Sequence, residues 1–136
     1  MTRKRGDMTP KGESRAAQRC VLTRPRRRLS RLLVHLDQIR ETARASGEAW
    51  HEFLRAGMFS AGIYRLAAGE SDQQSPHAED EIYCVLAGRA ELEVEGERSP
   101  VEPGTLAFVA KRDEHRFVDI TEDLELLVLF APPESG

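Results

Sequence analysis

Residues 77–88 read HAEDEIYCVLAG, a stretch that combines metal-binding residue types with the apolar pattern of a β-strand. Successive side chains on a strand point to opposite faces, so His77 and Glu81 are expected to share one face. His115 follows later in the chain, beyond the turn signal Pro103-Gly104. Two imidazoles and one carboxylate form a ligand set that suits iron, manganese or zinc. The pattern therefore predicts a divalent metal site at His77, Glu81 and His115.

The length of 136 residues suits a single domain, but charge is distributed unevenly along it. Residues 1–31 contain 11 Lys and Arg against Asp7 and Glu13, a net charge of +9, whereas the other 105 residues have 9 basic and 21 acidic side chains, a net charge of −12. We expect the folded part to repel nucleic acid and anionic membranes. The arginine-rich residues 24–28 are interpreted as a solvated tail, with a phosphate-binding arm as the alternative, because no helix-turn-helix signal accompanies them.

The two cysteines, Cys20 and Cys84, are too few for a disulfide framework and indicate a reducing compartment. No run of the sequence approaches the roughly 20 apolar residues of a membrane span. We therefore expect a cytoplasmic location and no membrane partner. The alternative, an organellar transit peptide, is disfavoured because Asp7, Glu13 and Pro25 interrupt any amphipathic pattern at the start of the chain.

Three segments differ in their patterns. Residues 1–28 lack periodic apolar positions and predict a disordered basic tail. In residues 29–46 the apolar positions recur at intervals of three and four, which predicts a helix ending at Ser46-Gly47. Residues 47–136 contain short β-type runs separated by turn residues, which predict an all-β sandwich or small barrel. The predicted strands are 50–54, 58–66, 81–86, 90–94, 105–109, 115–120 and 124–130. The last is apolar on both faces, so it should be central or covered by a partner.

The residues around the predicted ligands resemble the two motifs of the cupin superfamily. The first motif has a glycine, a His-x-His pair, a glutamate and a second glycine, which correspond here to Gly69, Ser75-Pro76-His77, Glu81 and Gly88. The second has a glycine, a Pro-x-Gly and a histidine, which correspond to Gly104, Ala110-Lys111-Arg112 and His115. The spacing is kept, but Ser75 stands in place of the first histidine, and the proline and glycine of the second motif are replaced.

The resemblance covers at least residues 50–133 and implies a double-stranded β-helix, the cupin or jelly-roll barrel, with a divalent transition metal held inside by His77, Glu81 and His115. Because a hydroxyl is a poor ligand for such a metal, Ser75 leaves a set of two histidines and one glutamate with open positions. Gln73, Gln74 and Glu79 are candidates to supply the missing ligand. The alternative is a relic of a lost metal site, in which the histidines are only hydrogen-bonded.

Cupins include oxygenases, isomerases and non-catalytic proteins, so the resemblance implies a metal-dependent oxygenase or isomerase acting on a small oxygenated organic molecule, with a non-catalytic small-molecule-binding or sensor barrel as the alternative. Glu79 and Tyr83 share the strand parity of Glu81 and are the catalytic candidates, although Glu79 also fits an exposed loop carboxylate. Met58, Phe108 and Phe117 are expected to add apolar walls. The resemblance and the apolar surfaces of the helix and the last strand also predict a homodimer.

Overall fold

A computed structural model describes residues 30–135; the predicted tail, residues 1–28, lies outside the described residues. Residues 30–135 form one helix, α1 (Leu36–Ser46), and six strands: β1 (Trp50–Arg55), β2 (Ser60–Leu66), β3 (Asp80–Val94), β4 (Glu97–Val101), β5 (Leu106–Val109) and β6 (His115–Ala131). All pairings are antiparallel, in the order β1-β2-β6-β3-β4, with β5 also paired to β3. No pairing among residues 30–135 joins the two ends, so the ladder is open. The architecture is the predicted all-β, jelly-roll type.

Helix α1 begins at Leu36, later than the predicted start at residue 29. His35 is the N-cap, where its Nδ1 atom accepts a hydrogen bond from the Asp37 N–H over 3.1 Å. Residues 30–35 are not helical, and Leu33 is 83% exposed. The helix therefore starts only where its apolar side chains find a surface to pack on. Its end is as predicted, with Gly47 at φ +74 following Ser46.

Strands β3 and β6 each contain two of the predicted strands, because each bends where a break was expected. The pairing between β3 and β6 shifts register between Val85 and Glu91. Gly88 lies at this bend with φ +96, and a Cβ at residue 88 would lie 2.7 Å from the Leu124 Cα. Only glycine allows this close crossing. One continuous strand can thus pair with β5 through residues 81–84 and with β4 through residues 90–94.

Strand β4 is not among the predicted strands. Its first four residues are all exposed, so it lacks the alternation that reveals a half-buried strand. The turn before it explains its position, because Glu95 and Gly96 both have positive φ, at 49° and 86°. Two consecutive residues of this kind form the tight turn that suits a two-residue hairpin.

The main core lies on the inner face of the sheet, and a second apolar cluster lies beneath α1. The inner core contains Leu66, Tyr83, Val85, Ala90, Leu92, Val101, Val109, Phe117, Ile120, Leu124, Leu126, Val128 and Phe130. On the outer face, Ile39 and Ala43 of α1 pack with Ile63, and Leu127 is partly buried against them. Strand β6 is therefore central, between β2 and β3, and its outer face is covered by α1.

A cluster of charges also joins α1 to the outer face of the sheet. Glu125 of β6 is 6% exposed and pairs with three arginines. Its Oε1 atom contacts Arg40 Nε, and its Oε2 atom lies 3.3 Å from Arg44 Nε and 3.6 Å from Arg65 Nε. Two of these arginines belong to α1 and one to β2, so the buried carboxylate ties the helix to the sheet.

The helix described here is too short and too polar to cross a membrane.

Candidate metal centre

The three predicted metal ligands converge inside the coiled sheet. Glu81 lies near the start of β3, His115 is the first residue of β6, and His77 precedes β3. In the pairing of β3 with β6, His115 is the partner of Val94, which lies at the other end of β3 from Glu81. The side chains of His115 and Glu81 therefore meet across the interior of the sheet and not as neighbours in the strand pairing. One ligand atom from each of the three residues lies within 4.8 Å of the others. The structure thus brings all three predicted residues together.

Glu81 is a buried carboxylate whose polar neighbour is the His115 imidazole. Its Oε1 atom lies 2.7 Å from His115 Nε2, and both side chains are 1% exposed. The second oxygen, Oε2, has no hydrogen-bond partner among residues 30–135. A buried charge is costly unless it is paired and hydrogen-bonded. Because a divalent cation would satisfy both oxygens, and two imidazoles are at hand to complete its coordination, the residues present fit such an ion.

His115 is oriented by the backbone. Its Nδ1 atom lies 2.9 Å from the Asp113 carbonyl oxygen, which accepts the Nδ1 proton and leaves Nε2 facing Glu81. A hydrogen bond of this kind on the second ring nitrogen is typical of metal-binding histidines. Burial by itself lowers the pKa of His115, but the Glu81 carboxylate and the Asp113 carbonyl outweigh it, and the pKa is raised.

Tyr83 brings a hydroxyl to the same place. Its oxygen lies 3.1 Å from His115 Nε2, and its ring packs edge-on against Phe117 at 5.0 Å between centroids. Burial, followed by the charge of Glu81, raises the pKa of Tyr83 well above its usual value. The hydroxyl therefore keeps its proton near neutral pH. The predicted inward orientation of Tyr83 and the burial of Phe117 agree with the structure.

A side-chain network that the sequence does not signal supports the site. The Asp72 carboxylate is buried and accepts hydrogen bonds from the Tyr64 hydroxyl at 2.7 Å, the Gln74 Nε2 atom at 2.6 Å and the Phe117 N–H at 2.8 Å. Gln74 in turn places its Oε1 atom 3.2 Å from His77 Nε2. No motif and no strand alternation identifies Asp72 in the sequence, because it lies in the loop between β2 and β3. Only the folded chain brings Tyr64 and Phe117 to its carboxylate.

Other predicted residues lie elsewhere. Glu79 is buried, so the alternative of an exposed loop carboxylate is wrong. Its Oε2 atom accepts a hydrogen bond from Ser135 Oγ at 2.7 Å, and Glu79 is not a member of the ligand cluster. The prediction that Met58 and Phe108 line the cavity is wrong, since they are 80% and 64% exposed. Phe108 alternates with buried Val109 and therefore faces outward.

A cavity of about 220 Å³ opens beside the ligand cluster. It has a mixed polar and apolar lining of Trp50, Tyr64, Gln74, His77, Glu81, Tyr83, Val128, Phe130 and Glu134. A larger open groove of about 870 Å³, lined by residues that include Arg89, Glu102 and Thr121, contains none of the three ligands. A second small cavity of about 180 Å³ is lined by His115, but only the first is lined by both His77 and Glu81, so a molecule in contact with those two ligands would occupy the first.

Comparison with known proteins agrees with the fold. An uncharacterised protein of Streptomyces coelicolor is 43% identical over 100 residues, which cover 74% of this chain and 95% of that protein. An L-ectoine synthase of Teredinibacter turnerae is 41% identical over 59 residues, so the chain spans only 43% of that enzyme's length. The solved structure of TT1209 from Thermus thermophilus shares the fold, with a TM-score of 0.60 at 22% identity over 74% of this chain and 97% of that one.

The family model of the cupin domain matches residues 62–130, which include all three clustered ligands. The match begins within β2 and runs through most of β6, the part of the chain that supplies the inner core. Together with the sheet order and the converging residues, it shows that the chain belongs to the cupin superfamily.

Proposed function

We propose that this cupin is a metal-dependent enzyme that acts on a small oxygenated organic molecule, with His77, Glu81 and His115 as the metal ligands. The observation that carries the proposal is the Glu81 carboxylate, which is buried beside two histidines, with one oxygen 2.7 Å from His115 Nε2 and the other without a hydrogen-bond partner among the described residues. Such a group is costly in an empty, purely structural site. The same group is expected where a cation completes it.

A bound iron, manganese or zinc ion would supply Lewis-acid polarisation of a substrate oxygen and, in the case of iron, a place for O2. The chain itself supplies a hydrogen-bond donor. The Tyr83 hydroxyl is buried and keeps its proton, it donates to Gln74 Oε1 over 3.1 Å, and it lines the cavity, so it is placed to donate a hydrogen bond to a substrate oxygen. Polarisation of a substrate oxygen in this way suits an isomerase, and an oxygenase is the second reaction type.

The cavity limits the size of the substrate. Its volume of about 220 Å³ is below the roughly 300–1,000 Å³ of sites for drug-sized ligands, which supports a small molecule. Trp50 and Phe130 pack edge-on at 5.6 Å, and the Phe130 ring also packs edge-on against His77 at 5.0 Å, so aromatic surface lies next to the polar ligands. A molecule with a polar oxygenated end and a short apolar part fits this mixed lining. Glu79 has no part in the proposal, because its carboxylate is bonded to Ser135.

The second candidate is a non-catalytic small-molecule-binding or sensor barrel. The observation in its favour is that Ser75, in the place of the motif's first histidine, is exposed, so the usual ligand set is incomplete. The local likeness to L-ectoine synthase supports an enzyme instead. Because the chain spans less than half of that enzyme, the likeness does not select a reaction.

Metal analysis separates these candidates. Protein purified without added metal or chelator is expected to contain about one iron or manganese ion per chain, and His115→Ala is expected to lose it while remaining folded. Retention of a full equivalent of metal by His77→Ala and by His115→Ala would overturn the proposed ligand set. A chain that binds none of the three metals, even after addition of excess Mn²⁺, Fe²⁺ or Zn²⁺, would favour the non-catalytic barrel.

We also propose that two copies pair through the outer face of β3 and β5. Ile82 of β3 pairs directly with Phe108 of β5, and both are exposed, as is Leu106. Three large apolar side chains on one face of two neighbouring strands are costly in water and suit a self-complementary contact. Light scattering should give the mass of a dimer for the wild type and of one chain for Phe108→Glu. Met58→Glu, at another exposed apolar residue, is the matched control and should stay dimeric.

A further inference from the structure

Gln74 contributes an oxygen to the wall of the proposed metal site. Its Oε1 atom lies 3.2 Å from His77 Nε2 and 3.1 Å from the Tyr83 hydroxyl oxygen. The oxygen accepts the Tyr83 O–H and faces the His77 ring nitrogen. Gln74, His77 and Glu81 line the same cavity, whereas Ser75, the next residue, is exposed.

The orientation of the Gln74 amide is determined by Asp72. A carboxylate only accepts hydrogen bonds, so the amide nitrogen must be the atom that lies 2.6 Å from Asp72 Oδ2. The amide oxygen then faces His77 and Tyr83. Asp72 cannot move freely, because it also accepts the Tyr64 hydroxyl and the Phe117 N–H. A fixed carboxylate thus points a neutral oxygen ligand into the site.

We propose that Gln74 is the fourth protein ligand of the metal, in place of the histidine that Ser75 replaces, and that Asp72 is the residue that positions it. This inference rests on the proposed function. The site would then offer two imidazole nitrogens, one carboxylate oxygen and one amide oxygen. Oxygen donors favour the harder divalent metals, so the substitution shifts the preference towards Mn²⁺ or Fe²⁺ and away from Cu⁺.

The test compares Mn²⁺ binding by the wild type, Gln74→Ala and Ser75→Ala, measured by calorimetry on the full chain. Loss of a residue that merely supports a ligand costs roughly 10- to 100-fold in metal affinity, so Gln74→Ala should weaken binding by at least about tenfold. Ser75→Ala is the control at the adjacent position and should bind Mn²⁺ as the wild type does. Circular dichroism and the melting temperature of the metal-free variants establish that each is folded.

Water proton relaxation by the bound Mn²⁺ distinguishes a ligand from a positioning residue. If Gln74 is a ligand, its removal opens a coordination position, and Gln74→Ala should show one more metal-bound water than the wild type. Weaker binding with an unchanged number of bound waters would show that Gln74 only positions His77 and would overturn the proposal. Equal affinity of the wild type and Gln74→Ala would overturn it as well. If the wild type binds no Mn²⁺, Fe²⁺ or Zn²⁺, the proposed function fails, and this inference with it.

Discussion

The Arg112 backbone N–H donates a hydrogen bond to the carbonyl oxygen of His77 over 2.7 Å. This bond joins the loop before β6, which leads to His115, to the segment before β3, which carries His77. Arg112 has φ +69 and stands where the second cupin motif has its glycine. Arg112 therefore adopts a left-handed backbone conformation that non-glycine residues rarely take, at some cost in free energy, and its hydrogen bond holds the two histidine segments together.

Replacement of Arg112 by glycine should stabilise the protein. A side chain at positive φ costs roughly 1–2 kcal/mol, whereas glycine adds about 0.4–1 kcal/mol of unfolded-state entropy. Arg112→Gly should therefore raise the free energy of unfolding by about 0.5 kcal/mol, measured by urea denaturation. Arg112→Val, which places a β-branched residue at the same φ, should lower it by more than about 1 kcal/mol. The same sign of change for both variants would contradict a strained backbone at Arg112.

Removal of the Glu125 carboxylate should loosen α1 from the sheet. Loss of one partner from a buried ion pair costs about 3–5 kcal/mol, and because Arg40 and Arg65 are partly exposed we expect about 2 kcal/mol for Glu125→Ala. Urea denaturation measures the change, and hydrogen exchange should show faster opening of α1. The control is Glu102→Ala, which removes an exposed carboxylate paired with Arg89 and should leave the stability unchanged.

Substitution of Glu81 by glutamine should separate stability from metal binding. In metal-free protein the amide has the size of the carboxylate and its oxygen can still accept a hydrogen bond from His115 Nε2, so the stability of Glu81→Gln should lie within about 1 kcal/mol of the wild type. Added Mn²⁺ should stabilise the wild type by about 2.7 kcal/mol when free metal is 100 times the dissociation constant. Thermal melts with and without metal should show no such rise for Glu81→Gln; an equal rise in both proteins would remove Glu81 from the ligand set.

Tyr64 should make the folded protein sensitive to alkali. Burial, followed by its hydrogen bond to Asp72, raises the pKa of Tyr64 far above its ordinary value near 10. A group whose pKa is higher in the folded state stabilises the fold below its unfolded pKa, and that contribution is lost as the pH rises above it. Stability should therefore fall above about pH 10.

The absorbance of tyrosinate tests this directly. The chain has two tyrosines, so Tyr83→Phe leaves Tyr64 as the sole tyrosine. Its absorbance at 295 nm should stay flat through pH 10 and rise only as the protein unfolds, which circular dichroism follows in the same samples. A reversible titration near pH 10 in folded protein would show that Tyr64 is not held by Asp72.

The strand pattern of the chain could be predicted from the sequence where burial alternates. Tyr83 and Val85 are predicted to face inward, and they do, because their neighbours Ile82 and Cys84 alternate with them on the other face. Strand β4 escaped prediction because four of its five residues are exposed. In helix α1 the pattern predicted too much, because the apolar residue Leu33 fits the helical period but is exposed and outside the helix. Periodicity thus reports strands and helices only where one face is buried.

For the site, the local sequence determined which residue types could bind a metal. The strand alternation expected to place His77 and Glu81 on one face does not apply, because β3 begins at Asp80 and His77 lies in the loop before it. Tertiary structure alone decided the rest. His115 meets Glu81 across the interior because β3 and β6 bend, and the Gln74 amide is turned inward because Asp72, Tyr64 and Phe117 come together in the folded chain. Apart from the Asp72–Gln74 hydrogen bond, which joins residues two positions apart, these contacts join different parts of the chain, and no local pattern encodes them.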